Sequence, residues 1–326
     1  PAHADLVARV LVAANLRGID SHGIQLLSFY MDQILAGDLD PARLGHVVSE
    51  SGGTLVFDGE NGLGAVCAEQ CADHAARLAR THGVALVTAR ESNHFGGCFW
   101  WARQIADQGL LAIVMCDASP IVPPWQGREG RFGTNPICLA VPDPEQFLLD
   151  MATTTVAAGK IFKANINQQP DIPPGWALDR EGVPTTSTRV AMEAGPLLMP
   201  LGGYKGTGLA MLVEILTGVL SGGGLSTDLS SFRVRGRPVR INQTFLAIDI
   251  ARFLPLEDFH SRLARLESLV RSTPAARGYG EVLVAGEPER RLEAERRAHG
   301  CPIEEGNWAT LQRTAAQVGV KIEAES

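Results

Sequence analysis

Two histidines, each set among small and polar residues, are the first candidates for chemistry in this 326-residue chain. His22 lies in Arg17-Gly-Ile-Asp-Ser-His-Gly23, and His94 in Glu91-Ser-Asn-His-Phe-Gly-Gly97. An imidazole changes charge at about pH 6.5, so either ring could take a proton from a reacting hydroxyl and give it back. Each also has a plainer reading. His94 precedes a helical pattern and could cap it, and His22 could simply pack between two helices. A third candidate is Pro200-Leu-Gly-Gly-Tyr-Lys-Gly-Thr-Gly208, which runs into an apolar helical pattern. Glycines at a helix start expose N–H donors, and Lys205 adds a positive charge, a combination suited to phosphate. The plainer reading is a tight turn. The stretch is not a Gly-Lys-Ser/Thr nucleotide loop, and G-x-G-x-x-G occurs nowhere in the chain. A dinucleotide site is therefore expected on something other than an ordinary Rossmann domain. Asp150-Met-Ala-Thr-Thr-Thr155 adds small hydroxyl residues suited to phosphate and ribose.

These residues need elements to hold them. Val84–Ala89 is apolar and β-branched, a buried strand that delivers Glu91–Gly97 at its C-terminal end. A helix at Cys98–Gln108 and a strand at Leu110–Cys116 follow. Open α/β sheets bind ligands at such strand ends. His22 falls between helical patterns at His3–Asn15 and Leu26–Leu35. Residues 48–63 read as a strand and turn, and Ala65–Thr81 as a helix. Ile137–Val141 and Phe147–Met151 read as strands around a Pro142-Asp-Pro144 turn. Pro170–Thr188 shows little periodicity and reads as an ordered loop. The helix Leu209–Leu220 ends at Gly222-Gly-Gly224. A strand at Thr244–Ile250 precedes helices at Leu256–Val270, Pro288–His299 and Glu304–Val318. The fold class is α/β. A helical domain built from both chain ends, residues 1–50 and 252–326, is expected to flank an α/β domain at 51–251.

With 45% hydrophobic and 20% charged residues, the chain can bury a sizeable core. A net charge of −7 leaves no footprint for nucleic acid. No apolar run approaches the roughly 20 residues of a membrane span. The cysteines at 67, 71, 98, 116, 138 and 301 fall mostly in apolar segments and read as reduced residues of a cytoplasmic protein. Cys67, Cys71 and His74 share a helix face, but no fourth ligand has finger-like spacing, so no metal is expected. The chain opens at Pro1 without Met and already inside a helical pattern, which points to a missing native N-terminus.

Six motifs occur in order: Arg17-Gly-Ile-x-Ser-His-Gly, Asn93-His-Phe-Gly-Gly, Pro123-x-x-x-Gly127, Gly133-Thr-Asn-Pro, Asp150-Met-Ala-Thr and Gly202-Gly-Tyr-Lys-Gly-x-Gly. With them the chain resembles, over nearly its whole length, the second malate/L-lactate dehydrogenase family. That family includes ureidoglycolate and sulfolactate dehydrogenases, 2,3-diketogulonate reductase and cyclic-imine carboxylate reductases. The resemblance implies a non-Rossmann, mixed-sheet nicotinamide-binding fold of the sulfolactate dehydrogenase kind, NAD or NADP as cofactor, and a homodimer with its site between domains. His22 and His94 match the family's two histidines, each cast as proton donor or acceptor in some members. Tyr30 matches a substrate-side tyrosine, and Ser21, Thr134 and Asn135 complete the expected substrate side. Asp150, Met151, Ala152, Tyr204, Lys205, Gly286, Glu287 and Pro288 match cofactor positions.

Three positions depart from the family pattern. Leu26 stands where some members carry an arginine suited to a substrate carboxylate. Asp117 stands where Asn is frequent, and Ala285 where Pro is common before Gly-Glu. The implied activity is an oxidoreductase interconverting a small 2-hydroxy acid and its 2-keto acid. Reduction of a cyclic imine carboxylate or of 2,3-diketogulonate needs the same parts, and a non-catalytic binding protein would keep the same fold. No nucleic-acid or membrane partner is expected. Of the histidines, His22 is preferred as proton donor, because Asn93 and the following helix offer His94 a structural job.

Overall fold

The structure, a computed structural model, describes residues 1–143, 147–193 and 195–322. Its first helix, α1 (Ala2–Leu16), turns Leu6, Val7, Val10, Leu11 and Ala14 inward at helical spacing. A short turn of 3₁₀-helix, Asp20–His22, leads on to α2 (Leu27–Ala36). The chain then forms β1 (His46–Ser51), β2 (Thr54–Asp58), α3 (Gly64–His82), β3 (Val84–Ser92), α4 (Cys98–Ala106) and β4 (Leu110–Cys116). Next come β5 (Ile137–Ala140), β6 (Leu148–Met151), α5 (Ala158–Ile166), β7 (Ala177–Leu178), β8 (Pro184–Thr185), α6 (Thr188–Glu193) and β9 (Leu197–Leu198). The last elements are α7 (Tyr204–Glu214), β10 (Ile241–Asp249), α8 (Leu256–Arg271), α9 (Glu287–His299) and α10 (Glu305–Gln317).

The main sheet has seven strands in the order β1-β2-β3-β10-β4-β5-β6. Only β2 and β3 pair in parallel, joined by the α3 crossover; the other neighbours run antiparallel. The late strand β10 lies between β3 and β4. α3 and α4 pack on this sheet. The alanines of α3, at 65, 68, 72, 75, 76 and 79, are buried, and small side chains let the helix approach closely. α9 packs against α1, and α10 against α2. Arg17 bridges to Glu293 of α9 at 3.1 Å, and Arg296 of α9 bridges to Asp20 at 2.9 Å.

Several expected boundaries move. β1 begins at His46, so residues 46–50 belong to the sheet rather than to the terminal helices. The core likewise ignores the expected division, since α1 and α2 bury their apolar faces in the same cluster as the sheet. A smaller core gathers Val122, Val156, Ile161, Ile172 and Leu198. The 170–188 loop contains β7 and β8, which pair with β9 in a three-stranded sheet too short to show periodicity. The expected turn at Pro142–Pro144 ends outside the described residues. α7 starts five residues before the expected Leu209 and passes into a π-helical turn at Ile215–Val219. β10 starts three residues before the expected Thr244. No described helix is long and apolar enough to cross a membrane.

Candidate active site

His22 is held by a side chain at the end of α1 together with its own turn. Asn15 Oδ1 accepts the Ile24 N–H at 2.7 Å, and Asn15 Nδ2 donates to Asp20 at 2.8 Å. A Cβ at Gly23 would collide with that Asn15 amide, which is why a glycine follows the histidine. His94 comes two residues after β3. Gln243 of β10 donates to Ser92 Oγ (2.9 Å) and to the Asn93 carbonyl (3.1 Å). Asn93 Nδ2 in turn donates to the Gly62 carbonyl at 2.8 Å. The loop is therefore fixed on both sides of the ring.

The two imidazoles meet. Their centroids are 5.6 Å apart with planes inclined by 27°. Tyr30 Oη lies 2.6 Å from His94 Nδ1, and Ser21 Oγ lies 3.0 Å from His22 Nδ1. Each ring thus has a hydroxyl on Nδ1, the Gly96 N–H also reaches His94 Nδ1 at 3.4 Å, and Nε2 has no protein hydrogen bond among the described residues. A hydroxyl can donate to a neutral ring or accept from a protonated one, so both charge states are satisfied. Burial, followed by the positive charge of Arg233, pulls His22 down to about 4. His94 falls well below the usual histidine range through burial, then through His22 and Arg233. Both rings are therefore neutral at pH 7. Burial raises the Tyr30 hydroxyl above its ordinary value, so it remains a protonated partner.

Helix α4 does not use His94 as its cap. The Asp150 carboxylate accepts the Phe99 N–H at 2.9 Å and supplies the negative charge that a helix start favours. Its burial lifts its pKa to about 6.

A cleft of about 1730 Å³ joins these parts. Ser21, His22, His94, Thr134, Asp150, Ala152, Gly286 and Pro288 line it. Tyr30 is buried behind His94 and acts on the cleft through that ring. The other expected site residues are placed differently. Met151 is half-buried and does not line the cleft. Asn135 is fully buried, with its amide donating to Glu214 at 2.8 Å and to the Ala210 carbonyl at 3.2 Å. It faces the protein interior rather than the expected substrate side. The Glu287 carboxylate is engaged by Arg271 (2.8 Å) and the Val284 N–H (2.7 Å). Tyr204 and Lys205 are exposed on the first turn of α7, outside the cleft lining. Their segment does pair with the one after Asp150–Ala152: the Leu201 N–H donates to the Thr153 carbonyl at 3.0 Å.

Sequence reading missed Arg233 and the rings around it. The available signal was the cluster Arg233, Arg235, Arg237 and Arg240 just ahead of β10.

Asp117 has burial as its main influence. It accepts the Asn242 N–H at 2.8 Å, yet desolvation raises its pKa to about 8. A folded carboxyl raised from 3.8 holds its proton more tightly than the unfolded chain does. Its contribution to stability is full below pH 3.8 and is lost as pH rises towards 8. Asp117→Asn should flatten that loss. Urea midpoints at about pH 5 and pH 8 should differ less in the variant than in the parent; an unchanged difference would acquit Asp117.

A sequence profile described as malate/L-lactate dehydrogenase matches residues 1–312. The chain is 36% identical to a malate dehydrogenase of Pyrococcus horikoshii, over 98% of this chain and 89% of that protein. The structure superposes on sulfolactate dehydrogenase from Methanocaldococcus jannaschii with a TM-score of 0.91 and 32% identity, covering 98% of this chain and 91% of the other. A Δ1-piperideine-2-carboxylate reductase from Pseudomonas syringae is a more distant neighbour, with a TM-score of 0.80 and 25% identity over 95% and 97% of the two chains.

Proposed function

The chain belongs to the malate/L-lactate dehydrogenase family, and on that footing we propose that it interconverts a small 2-hydroxy acid and its 2-keto acid with NAD or NADP. The observation that carries this reading is the pair of neutral imidazoles lining the cleft, each with a hydroxyl on Nδ1 and an Nε2 that has no protein hydrogen bond among the described residues. A non-catalytic binder would have no use for that pairing. Imine reduction is the runner-up, and the more distant likeness to the piperideine carboxylate reductase places it second.

The residues present fit a nicotinamide dinucleotide on a sheet that is not of the Rossmann kind. The cleft runs from the histidines past Asp150 and Ala152 to Gly286 and Pro288. At that end α9 begins, with Gly286 at φ +90° ahead of its first turn. When bound, the cofactor supplies or removes the hydride. The chain's own residues handle the proton. In oxidation, a neutral imidazole takes the substrate hydroxyl proton on Nε2 as the carbonyl forms, and the Nδ1 proton then points to its hydroxyl partner. In reduction, the imidazolium returns the proton to the new alkoxide oxygen. Ser21 and Thr134 line the substrate end. Nicotinamide fluorescence with a panel of 2-keto and 2-hydroxy acids tests the reading; no turnover with any of them would overturn it.

The family match puts Lys205 on the cofactor side; it stands outside the cleft lining at the start of α7, and the Leu201 N–H just before that helix donates to the Thr153 carbonyl after Asp150–Ala152. Lys205→Ala should weaken NAD(P) binding about 5- to 150-fold, the range for losing a charged hydrogen bond. An unchanged cofactor Kd would remove Lys205 from the site. The reduced cysteines, five of them buried, fit a cytoplasmic protein.

A homodimer accounts for the exposed apolar residues Met211, Leu212, Ile215 and Val219 on α7 and the turn after it. Sedimentation at micromolar protein should give twice 34.8 kDa; a single-chain species alone would refute the dimer.

A further inference from the structure

Among the described residues, Arg233 is a cation without an anion. Its neighbours in the loop are tied to α2 and the turn after it: Arg235 pairs with Asp32 at 2.5 Å, Gln33 donates to the Val234 carbonyl at 2.8 Å, and the Gly236 N–H donates to Asp38 at 2.6 Å. Arg233 itself forms no ion pair among the described residues. Its guanidinium carbon lies 4.6 Å from the ring centre of Phe29, 5.0 Å from that of Phe232 and 5.5 Å from that of Phe162. Ring faces hold a guanidinium through its charge and leave its in-plane N–H donors free. Phe232 packs in turn on His94, with centroids 4.5 Å apart.

Of the other cations of the cleft, Arg237 stands over no aromatic ring among the described residues, and the rest are engaged. Arg17 is paired with Glu293, Arg296 with Asp20, and Lys163 with Glu304 at 2.7 Å. Lys160 stands over Trp176 at 6.0 Å. Arg233 is the cation whose charge depresses both imidazoles. Leu26, where an arginine could otherwise serve, is sealed in the core at 1% exposure.

We propose that Arg233 is the substrate's carboxylate anchor, gripping both carboxylate oxygens so that the adjacent C2 oxygen meets the His22–His94 pair. This rests on the 2-hydroxy acid reading given above. A bidentate guanidinium suits a planar carboxylate better than an ammonium does. The anchor also links binding to proton transfer. Burial is the main cause that keeps the imidazoles neutral, and a carboxylate on Arg233 offsets the smaller part that its charge adds, which eases uptake of the hydroxyl proton.

The test compares a 2-keto acid that the parent enzyme reduces with its primary amide, in the parent, Arg233→Met and Arg233→Lys. The parent should favour the acid strongly. In Arg233→Met, KM for the acid should rise about 10- to 100-fold, as for the loss of charged hydrogen bonds. Turnover of the amide should stay nearly constant, so the preference collapses. Arg233→Lys should fall between the two. Cofactor Kd should be unchanged in all three. Binding of oxamate, an unreactive carboxylate, should weaken in parallel by calorimetry. This arm remains informative if Arg233→Met is too unstable for kinetics, because Arg233→Lys can be measured instead. Retention of the acid-over-amide preference in Arg233→Met, or unchanged oxamate affinity in Arg233→Lys, would overturn the anchor and leave the dehydrogenase reading intact. Failure of the parent to reduce any 2-keto acid would overturn both.

Discussion

His94→Asn should lower turnover by about 10²–10⁴-fold while leaving cofactor binding intact, the loss typical of a general acid–base group. The structure shifts the balance between the two histidines. The case for His22 rested on giving His94 a structural job as a cap. That job belongs to Asp150, which takes the Phe99 N–H, while Asn93 is directed to the Gly62 carbonyl. His94 is left with the short contact to Tyr30, the Gly96 N–H at 3.4 Å and its place against His22 and Phe232. His22→Asn should act chiefly on KM, with a smaller loss in turnover. Steady-state kinetics of both variants decides the matter. If His22→Asn loses turnover and His94→Asn keeps it, the roles are exchanged. If both keep it, the proton comes from another group. Tyr30→Phe removes the Nδ1 partner without removing the ring, so it should cost less than His94→Asn.

Asn135→Ala should destabilise the protein by about 2–4 kcal/mol and leave KM for substrate unchanged. Asn135 sits at φ +37°, a left-handed conformation that Asn tolerates better than most residues. Its amide donates to the Glu214 carboxylate, which also takes hydrogen bonds from the Ser226 hydroxyl and N–H. Removing the amide leaves a buried carboxylate short of a donor, worth about 1–3 kcal/mol, and the backbone strain adds about 1 kcal/mol. Urea denaturation reads the loss. A raised KM with unchanged stability would return Asn135 to the substrate side.

Much of the site could be read from the chain directly. The strand at Val84–Ser92, the polar loop after it and the helix at Cys98 follow from local apolar periodicity, and they place His94 at a strand end. Ser21-His22-Gly23 stood out because nothing local requires a histidine there. β10 was harder. Two of its first three residues, Asn242 and Gln243, are polar and interrupt the strand pattern. They are buried all the same, because they serve distant partners: Asn242 binds Asp117, and Gln243 binds Ser92 and Asn93. The sequence pattern of α7 shows only from Leu209 for a similar reason. Gly206 and Gly208 look like helix breakers, yet a side chain at Gly206 would strike the Leu201 and Thr153 backbone. The glycine there serves packing between segments rather than flexibility.

The sequence by itself determined which residue types were available, which short elements would form, and the family to which their order belongs. These depend on periodicity, capping and turn chemistry within a few residues of each position. Only the tertiary structure decided which side chains face one another. β10 enters between β3 and β4 and fixes the His94 loop. α2 holds Tyr30 against His94 and pins the loop of Arg233. The interior takes Asn135 for Glu214. A hydrogen bond or a ring contact forms wherever two distant segments are brought to within a few ångströms, and that distance is set by how the whole core packs rather than by the residues on either side.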